Sequence, residues 1–155
     1  MKKYNILGYL QIWDYQTKLQ LNSIGISLPD PNRDANKKEK KPMTAITALA
    51  VNDQGTTLAV ALRDDRMVYQ FYSLPNLELK QTYYQYSDPI CKNMSVYLME
   101  FSPCGGYLGI IDSNHATIVL KLRADKKYEI LGKVHVHKEK VLCKLTSQVE
   151  SLFTF

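Results

Sequence analysis

Residues 46–81 read ITALAVNDQGTTLAVALRDDRMVYQFYSLPNLELKQ, and residues 96–133 read VYLMEFSPCGGYLGIIDSNHATIVLKLRADKKYEILGK. Laid one over the other, the two stretches make the same moves in the same order. Each opens on an alternating apolar run (46–51; 96–101), where alternation is the mark of a half-buried strand. A polar turn with Gly follows, Asn52-Asp53-Gln54-Gly55 in one and Ser102-Pro103-Cys104-Gly105-Gly106 in the other. Such turns accept positive φ and side-chain-to-backbone hydrogen bonds at little cost. A second apolar strand (57–61; 107–111) leads to a short polar turn (63–66; 112–115). A third strand (67–72; 117–122) and a fourth (77–81; 128–133) complete the unit. The reading is four short antiparallel strands, repeated at a period of about 50 residues, near that of propeller blades built from four-stranded sheets.

Working outward, residues 8–21, GYLQIWDYQTKLQL, match strands three and four of the same unit, with Trp13-Asp14 set where the first full unit has Phe71-Tyr72. The domain map is therefore the end of a partial blade (4–21), a flexible inter-blade loop (22–42), a blade (43–81), a loop (82–93), a blade (94–134) and the start of a further blade or a frayed end (135–155). Residues 22–42, rich in Pro, Asn and Lys, carry little periodicity. Residues 82–93 keep Tyr83, Tyr84 and Tyr86, which packing against a neighbouring blade explains better than contact with a partner. The run 141–145 alternates again and reads as the first strand of the further blade.

Composition agrees with an all-β chain. Eleven tyrosines and many Val, Ile and Thr suit a pleated, half-buried surface. At 155 residues and 45% hydrophobic content there is material for a core. No run approaches the roughly 20 apolar residues of a membrane helix. Met1-Lys2-Lys3-Tyr4 lacks the apolar stretch of a signal peptide, so a cytoplasmic or cytoskeletal setting is expected. Cys91, Cys104 and Cys143 are an odd, widely spaced set that writes neither a disulfide framework nor a zinc knuckle, and they read as reduced thiols behaving as small apolar residues.

The chemistry-bearing residue types do not converge. His135, His137 and Cys143 are zinc-ligand types, but no fourth ligand stands at a usable spacing. Asp112-Ser113-Asn114 opens like a calcium loop, yet Thr117 and Arg123 occupy the positions that need Gly and Glu, so a hairpin turn is expected. Gly105-Gly106 precedes no helix and no Lys-Ser/Thr pair, which removes a phosphate cradle. No catalytic, cofactor-binding or metal-ligating set is assigned, no small-molecule substrate is implied, and the chain is read as a non-enzyme. The net charge of +5 gathers partly in Lys2, Lys3 and the run 37–41, diluted by Asp34 and Glu39. That run reads as a solvated loop, with non-specific docking on the acidic surface of tubulin or on nucleic acid as its functional alternative.

These residues resemble WD repeats. LQIWDY (10–15) resembles the family's blade-ending Trp-Asp strand, and residues 46–62 resemble its first two strands. MEFSPCGGYLGIIDSN (99–114) resembles its Phe-Ser-Pro-polar-Gly turn and second strand. Neither full unit keeps Trp-Asp, and no Gly-His precedes the first strand, so these are divergent blades without the His-to-Asp network of conforming repeats. A finer resemblance lies in 107–141: Tyr107, Leu108, Asp112, Ser113, Leu131, Gly132, Lys133 and His137 match a pattern of ciliary WD-repeat proteins of the calmodulin- and spoke-associated complex. His135 stands where that pattern has Arg, and Gly109 where it has Ala. The resemblance implies a partial β-propeller, two full blades plus two partial ones. It also implies a scaffold for protein–protein contact in the motile-cilium axoneme near the radial-spoke base, with axonemal or radial-spoke subunits or tubulin as partners. The alternative is a scaffold of another assembly, such as intraflagellar transport, coat or RNA-processing complexes. Two full blades and two partial ones leave faces and edges uncovered, so marginal stability of the isolated chain is expected.

Overall fold

The computed structural model describes residues 8–28, 44–87, 94–114 and 116–135. They form ten strands and three antiparallel sheets. The first sheet pairs β1 (Tyr9–Trp13) with β2 (Gln20–Gly25). The second runs β3 (Ile46–Val51), β4 (Thr57–Leu62), β5 (Val68–Ser73) and β6 (Glu78–Tyr84) in that spatial order. The third repeats it with β7 (Val96–Phe101), β8 (Tyr107–Asp112), β9 (Ala116–Leu122) and β10 (Tyr128–His135). Consecutive strands are neighbours throughout, so each full unit is a four-stranded meander, as the repeat predicts.

The sheets stack face to face, and alternation decides which stack each residue joins. Along β4, Leu58, Val60 and Leu62 enter a cluster with Leu10, Ile26 and Val68, on the side of the first sheet. The residues between them, Ala59 and Ala61, enter the other cluster, with Leu108, Ile110, Ile118 and Leu120 of the third sheet. Small alanines facing large aliphatics let the second and third sheets close together, while both faces of β4 are buried. Gln70, also buried, accepts the Tyr72 hydroxyl at 2.7 Å, and its amide nitrogen donates to the Ser27 carbonyl at 3.4 Å, tying the second sheet to the chain leaving β2.

The two full units share the backbone hydrogen bonds of their first turn. Asn52 and Ser102 are buried at matching positions, and each donates its N–H across the hairpin, to the Thr57 and Tyr107 carbonyls at 3.1 and 2.9 Å. Gly55 and Gly105 donate back to the Asn52 and Ser102 carbonyls at 2.9 and 2.8 Å, with φ of 66° and 70° that favour glycine. The side-chain oxygens then cap the returning strand. Asn52 Oδ1 accepts the N–H of Thr56 and Thr57, both at 2.9 Å, and Ser102 Oγ accepts that of Tyr107 at 3.1 Å.

Several boundaries differ from the sequence reading. β2 runs on to Gly25 rather than stopping at residue 21, because Ile24 and Ile26 continue the alternation beyond Asn22 and Ser23 and pack on the second sheet. β6 continues to Tyr84 rather than ending at residue 81, since Tyr83 turns to the third sheet and Tyr84 to the first. Tyr86 also packs in the second–third cluster, so these tyrosines serve packing.

The alignment of Trp13 is corrected by one residue. Each sheet has a β-bulge within its last strand: Ile12 faces Asn22 but Trp13 faces Gln20, while Phe71 faces Gln81 but Tyr72 faces Leu79. Trp13 is thus the counterpart of Tyr72, not Phe71, and Asp14 of Ser73. A one-residue slip exchanges faces, so Trp13 points away from the second sheet instead of into it. The loop run 37–41, Cys91, His115, His137, Cys143 and the strand expected at 141–145 lie outside the described residues.

Candidate interaction surfaces

The residues singled out for chemistry serve local structure. Asp112 is buried at the end of β8, and its Oδ1 accepts the N–H of Asn114 at 2.8 Å and of Ala116 at 3.0 Å, which makes 112–114 the expected hairpin turn. Gly105 is in the β7–β8 turn already described, and Gly106 donates its N–H to Cys104 Sγ at 3.4 Å. Cys104 is exposed in that turn rather than packed as a small apolar residue, because the tight reversal points its side chain outward. His135 closes β10. Among the described residues no group of three or more His, Cys, Asp or Glu could hold a metal ion.

What the fold does expose is apolar surface on the first sheet's side. Trp13 is 55% exposed, whereas its counterparts Tyr72 and Leu120 are 4% and 0% exposed, each covered by the sheet before it. The same contrast appears on the first strand of each full sheet. Met99 and Phe101 of β7, both 5% exposed, are buried against the second sheet. Their counterparts Leu49 and Val51 of β3 are 55% and 47% exposed, because among the described residues the first sheet sets two strands opposite them. Leu10, Ile12, Trp13, Leu49, Val51 and Leu77 are among the residues lining the resulting cleft of about 450 Å³. Among the described residues β1 pairs only with β2. The sequence names Trp13 as a family marker; its exposure follows from the register, which the sequence reading set one residue off.

A second cleft, about 460 Å³, opens between the second and third sheets. It is built around an inter-sheet joint. Gln81 Oε1 accepts the Tyr128 N–H and its Nε2 donates to the Tyr128 carbonyl, both at 2.8 Å. The Tyr128 ring stacks on Phe71 at 4.5 Å between centroids and meets Phe101 edge-on at 5.9 Å, and its hydroxyl donates to the Gly105 carbonyl at 2.9 Å. Burial pushes the Tyr128 phenol above its ordinary range, and pushes Tyr72 up to about 12. The first pair of sheets has a simpler form of the joint: Asn22, at the bulge position matching Gln81, donates to the Asn76 carbonyl at 2.9 Å.

No family model and no curated protein matches the chain. Its fold is all-β, four-stranded antiparallel sheets arranged as in part of a β-propeller. Among solved structures, that of the WD-repeat protein U3-55K is similar, with a TM-score of 0.59 and 14% identity over 84% of this chain. The match takes in 34% of that structure's chain, so the present chain spans about a third of its neighbour's length.

Proposed function

We propose that this chain is part of a non-catalytic WD-repeat scaffold that holds proteins together. The observation that carries the reading is uncovered apolar surface, Trp13 on the first sheet and Leu49 and Val51 on the second, whose counterparts elsewhere in the same molecule are buried by a packed sheet. Large apolar side chains left uncovered in this way are what protein contacts cover. The buried polar side chains Asn52, Ser102 and Asp112 are engaged in turns and Gln70 in an inter-sheet link, which supports a structural rather than a chemical use of the blades.

The finer assignment is to the motile-cilium axoneme near the radial-spoke base, with radial-spoke subunits or tubulin as partners. It rests on the resemblance of 107–141 to cilia- and flagella-associated protein 251 of the calmodulin- and spoke-associated complex. Of the matching residues, Leu108 lies in the core and Asp112 in its turn, while Leu131 is exposed on β10 and Lys133 bonds the Tyr86 hydroxyl. The test is to tag the full-length product in ciliated cells and follow it through detergent and salt extraction of axonemes. Retention on doublets with cross-links to spoke-base proteins is the expected result; co-fractionation with transport trains, coats or RNA-processing particles would replace the axonemal assignment with that assembly.

A further inference from the structure

The cleft between the second and third sheets has a chemical character that the scaffold reading leaves unassigned. Its rim carries three ammonium groups, Lys80 on β6 and Lys126 and Lys127 in the β9–β10 turn. Lys80 pairs with Glu78, whereas Lys126 and Lys127 make no ion pair among the described residues. The one carboxylate on the lining, Asp125, faces Arg123 at 3.8 Å and accepts the Lys127 N–H at 3.2 Å. Two cationic groups are thus left to a ligand. Behind them Leu122 and the rims of Phe71 and Tyr128 give an apolar floor.

Both walls are fixed before anything binds. Arg123 donates to the Lys127 carbonyl at 2.8 Å and accepts the Lys126 N–H at 3.0 Å, and Lys126 holds a φ of 62°. Across the cleft, Lys80 is the extra residue of the bulge between the Phe71–Gln81 and Tyr72–Leu79 pairs, a device that re-aims a side chain. The Gln81–Tyr128 joint, with both amide ends engaged, sets the spacing between the walls. A pre-set cleft loses less free energy to ordering when it is filled.

We propose that this cleft docks an acidic peptide segment of a partner protein, one that places a large apolar side chain on the Leu122 floor and flanking carboxylates on Lys126 and Lys127. This deepens the scaffold reading and rests on it. The volume lies in the range of pockets that take one bulky group. Charge complementarity selects acidic over basic segments. Single-stranded nucleic acid is the poorer fit, because it needs exposed aromatic faces for its bases, and the Phe71 and Tyr128 rings are buried against each other.

The test is fluorescence anisotropy of the full-length protein with a labelled Glu-Glu-Phe-Glu-Glu peptide at about 0.15 M ionic strength, beside a Lys-Lys-Phe-Lys-Lys peptide and a short oligothymidylate. The acidic peptide should bind in preference to both. Lys126→Glu with Lys127→Glu should weaken it by about tenfold. Lys18→Glu, on the first sheet's hairpin, should leave it within twofold, and circular dichroism should show both proteins folded. Equal binding by the double variant, equal loss in Lys18→Glu, or tighter oligothymidylate binding that the double variant removes would each overturn the proposal. Partners cross-linked to the wild-type protein that the double variant still retains would leave the scaffold reading standing while this site falls.

Discussion

Gln81 grips the backbone of Tyr128 through both atoms of its amide, 2.8 Å on each side, and so fastens the outer strand of the second sheet to the first residue of β10. Apolar stacking alone is non-directional. This pair of bonds fixes where along the stack one sheet sits against the next.

Gln81→Ala should therefore cost about 1–3 kcal/mol, the range for leaving partly buried backbone groups without their partner. Urea denaturation would measure it. Lys80→Ala, one residue away and exposed, should stay within about 0.5 kcal/mol, and equal losses in the two would remove the joint from the account.

Asn52→Ala should destabilise more than Ser102→Ala. Asn52 Oδ1 accepts two backbone N–H groups and Ser102 Oγ one, so the expected difference is about 1 kcal/mol. Thermal unfolding of the two variants side by side checks the order.

Gly8→Ala should loosen the first sheet. A Cβ there would overlap the Thr44 carbonyl oxygen, at the point where Ile26 donates to the Gly8 carbonyl and accepts from Thr44. Overpacking of this kind costs about 1–3 kcal/mol. Hydrogen exchange should quicken in β1 and β2 before it does in the third sheet.

Alkaline pH should weaken the stack. Burial raises Tyr72 to about 12 and raises Tyr83 and Tyr128 as well, all from an ordinary value of 10.0. Above pH 10 the unfolded chain ionises these phenols first and binds fewer protons, so stability, fully present below pH 10, falls as pH rises towards 12. Urea midpoints across that window should drop for the wild type and drop less for Tyr72→Phe.

The fold was legible because repetition and alternation are both written in the residue order. The pairing of 46–81 with 96–133 supplied the two full sheets, and β3 and β7 fall on their expected residues. Trp13 stands one residue off its sequence alignment because nothing in the residue order of a half unit fixes its offset against the full one; the pairing of Trp13 with Gln20, matching that of Tyr72 with Leu79, does. β2 and β6 extend past their expected ends for a related reason: Asn22 and Thr82 look like loop residues, but the strands continue through both. The two clefts were not legible at all. Lys80 is far in sequence from the adjacent Lys126 and Lys127 and meets them across two sheets, and Leu49 looks no different from Met99 until the sheet opposite each is known.

The stacking of the sheets as consecutive blades is tested most directly by proton–proton nuclear Overhauser effects between the Phe71 and Tyr128 rings, which lie in different sheets with centroids 4.5 Å apart. Strong ring-to-ring cross-peaks are expected, together with cross-strand peaks between Ala59 and Phe71 within the second sheet. Cross-strand peaks without the ring-to-ring peaks would show sheets that form but do not stack, and would contradict the propeller arrangement.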